Sequence, residues 1–357
     1  MRKIFPIVLA LLSSVILPAL AVAAPFAYIP DGGATIVHVI DTANNAFVQT
    51  ITVGNAPMGA AVNPAGTRVY VCNYSSGNVS VIDTSTNAVV ATVAVGNGPA
   101  GLTMNPAGTR LYVANSLSAS VSVIDTSNNT VLTTVGVGFG PIGIAINPTG
   151  TRAYVSNYNV GSVSVIDTSS NTVIATIPVG AFPFGIATNA AGTSLYVANG
   201  GSNTLSIIDT SSNSVVNSIA ITNPVYIALN PSGTRIYVTR HGTNNSVTVI
   251  DTTSNNILTT VPVGTTPYGV AFNPTGTRAF VANANSNNVS VIDTSNNTVI
   301  ATVPVGSVPY ALGQFIQPAA AAASTPAAVP TLSQWATLLL AILLAVSAIV
   351  AIRQHLR

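Results

Sequence analysis

The chain has 357 residues, only 5% of them charged, with ten Lys and Arg against eight acids. A globular domain ordinarily carries about a quarter, and without clustered Lys or Arg the footprint of a nucleic-acid binder is excluded. All eight acids are Asp, and a single Cys excludes a disulfide framework. In chain order, the first predicted element is Met1-Arg2-Lys3, an apolar run over 4–20 and the small-x-small site Ala21-Val22-Ala23. That pattern predicts a secretory signal peptide over 1–23. Six Arg and eight Asp then remain in the body, about −2 in charge.

The body, predicted over 24–317, is a repeat. The Asp of a Val/Ile-Ile-Asp-Thr motif falls at 41, 83, 125, 167, 209, 251 and 293, always 42 residues apart. A period of about 40–45 residues with strand-like content marks propeller blades. In the unit Pro57–Gly96, strands are predicted over 57–62, 68–73, 78–83 and 88–95. They are separated by Asn-Pro-Ala-Gly-Thr, a short loop and Asp-Thr-Ser-Thr-Asn, the chemistry of tight turns. The prediction is an all-β, seven-bladed β-propeller of four-stranded antiparallel blades. The first unit starts in its second strand at Phe26, and the last is followed by a lone first strand, Pro309–Gln314. The last blade is therefore expected to be closed by both chain ends, removing free sheet edges.

The repeated Asp residues invite a calcium reading, which spacing argues against. Neighbouring copies would stand on the order of 13 Å apart, against ligand distances of about 2.3–2.6 Å. No metal and no cofactor is predicted. Asp41, Asp83, Asp125, Asp167, Asp209, Asp251 and Asp293 are given a structural role. The hairpin register sets Arg68 opposite Asp83, Arg110 opposite Asp125, Arg152 opposite Asp167 and Arg278 opposite Asp293. Arg235 faces Asp251 after a one-residue insertion. Phe26 and Ser194 replace Arg in the other two units. Cys72 and His38 are read as a core residue and a strand residue.

Function concentrates where a rigid scaffold varies its loops. The slot held by Asn73, Asn115, Asn157, Asn199 and Asn283 is Asp31 in the first unit and Arg240 in the sixth, with His241 beside it. Tyr226 replaces a repeated Gly, and Tyr268 and Tyr310 fall in the following blades. These six residues, Asp31, Tyr226, Arg240, His241, Tyr268 and Tyr310, form the candidate ligand site. Tyr74, Phe139, Tyr158, Phe182 and Phe184 also appear on this face without period. No catalytic residue is predicted.

After the repeats, 318–328 is an Ala/Pro-rich linker. Pro330, Thr331, Leu332 and Trp335 then precede an uncharged run, Ala336–Ile352, closed by Arg353 and Arg357. The run is long enough for a transmembrane helix, with its Arg on the cytoplasmic side. The segment 329–357 resembles the IPTL-type bacterial sorting signals. That resemblance implies export from a Gram-negative cell and an inner-membrane intermediate held by the helix. It further implies signal peptidase and an exosortase-like enzyme as processing partners, and a final place at the envelope surface or outside. The units at 26–316 resemble the YVTN-family propeller repeats through Asn-Pro-x-Gly-Thr-Arg, Tyr-Val-x-Asn, Val-Ser-Val-Ile-Asp-Thr and Val-Gly-x-x-Pro. Members of that family include surface-layer-type and periplasmic proteins.

Two functions are consistent with this reading. The first is a non-catalytic surface or matrix propeller binding a protein or glycan, and not a nucleic acid. It is favoured because hydrolysis needs a base, a metal or an activated nucleophile and few such groups are present. The alternative is a lactonase-like hydrolase or lyase with its site on the variable-loop face.

Overall fold

The structure, a computed structural model, describes residues 25–318 apart from 243 and 244. The predicted signal peptide, the sorting motif and the apolar run 336–352 lie outside the described residues. Among the described residues no helix is long and apolar enough to cross a membrane.

Local chemistry sets each hairpin. Asn63 Oδ1 accepts from the amides of Thr67 and Arg68 at 2.8 and 2.9 Å, and Gly66 takes φ +71°. This turn joins β4 (Pro57–Val62) to β5 (Arg68–Asn73), following β1 (Phe26–Asp31), β2 (Ile36–Asp41) and β3 (Ala46–Thr52). Then come β6 (Asn78–Asp83) and β7 (Ala88–Ala94). Between them Asp83 Oδ1 accepts from the Ser85 amide at 2.8 Å and Asn87 takes φ +52°. Asx turns of this kind satisfy backbone groups that a tight reversal would strand. Register places Arg68 opposite Asp83 and Asn73 opposite Asn78. A shift between Val81 and Ile82 adds the bend and twist of a bulge.

The unit β4-β5-β6-β7 recurs five more times as a four-stranded sheet in chain order, and β1-β2-β3 forms a seventh sheet of three. The seventh is completed by the other chain end, as predicted. Asp31 pairs with Pro309 and Ala27 with Ile316, both antiparallel. The Tyr28 amide donates to Phe315 O and the Gln317 amide to Phe26 O, each at 2.9 Å. The closing segment thus runs three residues beyond the predicted Gln314. It also accepts from β4, through Ala60 N to Leu312 O at 2.8 Å.

Stability comes from the faces between sheets. Each second strand buries one large ring at the same position: Tyr28, Tyr70, Tyr112, Tyr154, Tyr196, Tyr237 and Phe280. Burying such a side chain stabilises by about 1.5–3 kcal/mol. The innermost strands meet at glycine. A Cβ on Gly101 would lie 2.1 Å from Ile142 O, and one on Gly269 1.9 Å from Ala311 O. Only a residue without a side chain permits that approach.

Candidate functional site

The two ends of the strands present different faces. One carries the Asp turns. Arg110 reaches Asp125 at 2.9 Å, and the same bond joins Arg68 to Asp83 and Arg235 to Asp251. Two Arg residues depart from the sequence reading. Arg152 stands opposite Asp167 in register but donates to Thr210 O, and Arg278 turns from Asp293 to Thr42 O and Ala43 O. Both reach the next sheet, because a side chain at the strand start borders the neighbouring turn as closely as its own. The carboxylates of Asp167 and Asp209 sit at about 2, held down first by the hydroxyls of Ser169 and Ser211 and then by backbone amides. Among the described residues no three His, Cys or acid side chains converge as a metal site would require.

The opposite face carries an aromatic cleft. Tyr158 opens a 3-10 turn, Tyr158–Val160, and its amide donates to Gly140 O at 2.9 Å. Its ring stacks on Phe182, 5.0 Å between centroids and 23° between planes, and meets Phe184 edge-on at 6.2 Å. Phe182 holds φ +53°, a left-handed conformation uncommon for a bulky residue. Phe184 continues to Tyr268 at 6.1 Å, and Tyr268 meets His241 at 4.5 Å and Tyr310 at 4.6 Å. Tyr158, Phe182, Phe184, His241 and Tyr268, with Asn223, line a cavity of about 290 Å³.

His241 is the titratable group of this cleft with acid–base potential near neutral pH. Burial lowers its pKa from the ordinary 6.5, outweighing a bond to the backbone of Pro267 that raises it. Nε2 is buried without a protein partner. Burial also pushes the Tyr268 phenol up to about 12, with the Tyr310 and Tyr158 phenols adding to the shift.

The six candidate residues do not converge on one point. His241 and Tyr268 line the cleft, and Tyr310 borders it through Tyr268. Arg240 is not among its walls; its Nε donates to Thr222 O at 3.0 Å, next to the wall residue Asn223. Tyr226 lines a different cavity with Gly313, whose backbone it meets. Asp31 is 1% exposed. Its carboxylate accepts from the amides of Gly33, Ser307 and Val308 at 2.8–3.0 Å and lies 3.3 Å from His38 Nε2. It fastens the closing segment and makes no ion pair with Arg240. Tyr158, Phe182 and Phe184 were marked in the sequence by their missing period, but nothing there brought them together.

The family model described as Lactonase, 7-bladed beta-propeller matches residues 86–216. A second model, the IPTL-CTERM motif, matches residues 327–354. No curated protein matches the chain. Among solved structures, Kuenenia stuttgartiensis hydrazine synthase is similar at 24% identity, with a TM-score of 0.67 over 72% of this chain and 89% of that one. A functionally unknown protein from Desulfotomaculum acetoxidans DSM 771 is 19% identical, with a TM-score of 0.70 over 82% and 98%. A Bacteroides fragilis NCTC 9343 protein provisionally named a 6-phosphogluconolactonase is 15% identical, with a TM-score of 0.69 over 83% and 99%. At these identities the structures establish the fold alone. The chain is a seven-bladed propeller carrying a C-terminal sorting motif, which points to export to the cell envelope and to an exosortase-like system. The lactonase match overturns the expectation of a chain without catalysis. That expectation rested on how few groups of the chain can serve as a base, a metal ligand or an activated nucleophile.

Proposed function

We propose that the chain is an exported propeller hydrolase that opens a small cyclic ester in the cleft of Tyr158, Phe182, Phe184, His241 and Tyr268. The observation that carries this reading is the imidazole of His241 on the wall of the cleft, its pKa lowered by burial so that the ring is an unprotonated base at neutral pH. In the proposed reaction the imidazole of His241 takes a proton from water as the water oxygen adds to the ester carbonyl. The ring C–O bond then breaks, the proton returns to the leaving alkoxide, and a hydroxy acid is released. The phenol of Tyr268, protonated at neutral pH, supplies a hydrogen-bond donor on the same wall. The partial lactonase match supports the substrate class, and the cavity of about 290 Å³ suits a single ring.

The test is proton release from a panel of five- and six-membered lactones, followed with the full chain. His241→Gln should lower kcat by about 10²–10⁴-fold, the usual contribution of a positioned base, with melting temperature unchanged. The wild-type rate should fall on the acid side with a midpoint below 6.5. No turnover of any lactone, or full activity in the glutamine variant, would refute the reading.

A further inference from the structure

Six of the seven sheets repeat one steric device on the loop face. The Asn that ends the second strand packs its amide where a glycine of the preceding crossing has no side chain. A Cβ on Gly54 would lie 2.7 Å from Asn73 Cγ, and Gly96, Gly138, Gly180 and Gly264 meet their own Asn in the same way. Gly306 does so with Asp31. The sixth blade breaks both halves of the pair. Its crossing is one residue shorter and has Thr222 in the glycine slot, and the strand ends in Arg240. With a Cβ at 222 the inward position is taken. The Arg240 side chain lies instead against the crossing, Nε to Thr222 O at 3.0 Å.

This arrangement leaves a cation without a counter-ion. The other five Arg of the described residues belong to the Asp-turn face, each with a terminal nitrogen bonded to a carboxylate or carbonyl. Arg240 is anchored through Nε alone, and its two terminal nitrogens have no protein partner among the described residues. Asp31, the other charge at this end of the strands, is buried under backbone amides. Arg240 is not itself a wall of the cleft, but its chain and register neighbours are. It pairs in register with Pro224, and Asn223, Pro224 and His241 are cleft walls.

We infer that the ligand of this cleft carries a carboxylate bound by the guanidinium of Arg240, with its ring against Phe182 and Tyr158. The inference rests on the cleft of the proposed function and adds the charge of what enters it. Two terminal nitrogens in a fixed plane match the two oxygens of a carboxylate. A single monovalent cation with no Lys beside it suits that monoanion better than a dianionic phosphate. Arg240 is thereby a specificity residue, distinct from the base at His241.

The experiment is calorimetric binding to the full chain of matched acids and amides: sodium D-glucuronate against D-glucuronamide, and sodium benzoate against benzamide. At least one acid should bind about 10-fold or more tighter than its amide, the scale of a charge-assisted bond. The paired change Arg240→Asn with Thr222→Gly, which restores the device of the other sheets, should abolish that preference and leave amide binding unchanged. Arg240→Gln, which keeps Thr222, should do the same and serves if the double variant melts early. Equal binding of acid and amide, no binding of either acid, or a preference that survives both variants would overturn the inference. Because binding is read without turnover, inactivity toward lactones leaves this outcome intact.

Discussion

A buried phenol reaching across to the next sheet's turn shows how single residues tie the ring together. Tyr28 donates to Asn87 Oδ1 at 3.1 Å and Tyr237 to Asn297 Oδ1 at 2.5 Å, each in the sheet that follows. Phe280 has no hydroxyl, and there Arg278 takes the equivalent Asn45 at 3.3 Å. Tyr237→Phe should therefore destabilise by about 1 kcal/mol, read as a fall of roughly 2–4 °C in Tm. An unchanged Tm would show that the bond contributes nothing. The Asp turns respond to pH. The carboxylates of Asp83, Asp125, Asp167, Asp209, Asp251 and Asp293 are all held below 3.8 by hydroxyl and amide donors. Their folded pKa values are depressed, so the stabilisation is present above 3.8 and is lost as pH falls toward about 2. Thermal melts across that range should show the steepest loss there. Stability that is flat down to pH 2 would show that these turns do not hold the fold. The facing of Arg and Asp is legible in the sequence because hairpin register follows from spacing. The bond finally made is not, because it depends on how close the next sheet comes.

Among the elements, the closing segment bears the most. Its Leu312, Phe315 and Ile316 are buried, each contributing about 1.5–3 kcal/mol. A chain lacking Val308–Gln317 also exposes the edge of β1. It should melt more than about 10 °C lower than the intact protein, and equal melting would refute the closure. The inner strands set a separate limit. Gly269→Ala places a methyl against Ala311 O and should destabilise clearly, whereas Gly136→Ala, with nothing within 4 Å, should not. The closure was readable because the first unit lacks a first strand and the last segment lacks the rest. The shortened crossing at Thr222 was less readable, since its effect on Arg240 comes from one missing Cβ pocket rather than from any motif.

At the scale of the whole molecule, the period decides the architecture and the exceptions to the period decide the site. Tyr226 and Arg240 both break the repeat, yet one lines a cavity with Gly313 while the other lies against the crossing at Thr222. The repeat predicts where a side chain begins, and the curvature of the ring decides where it ends. Asp31 breaks the repeat for assembly. We propose that both termini are removed during export, on the strength of the sorting motif at 327–354. Intact mass of the protein released from its native host should lack residues 1–23 and the run 336–352. A full-length form retained in the inner membrane would instead favour a permanent anchor.

The bond from the Phe26 amide to Gln317 spans 291 residues of sequence. Six sheets are contiguous in the chain and form from local hairpins as they emerge. The first-made strands must wait, with an open apolar edge, until nearly the last residue of the repeat has been synthesised. Pairings of such separation are slow to form, and every interval of waiting is spent beside near-copies of the missing strand. The order of the chain therefore makes the oldest part of this protein the last to be finished.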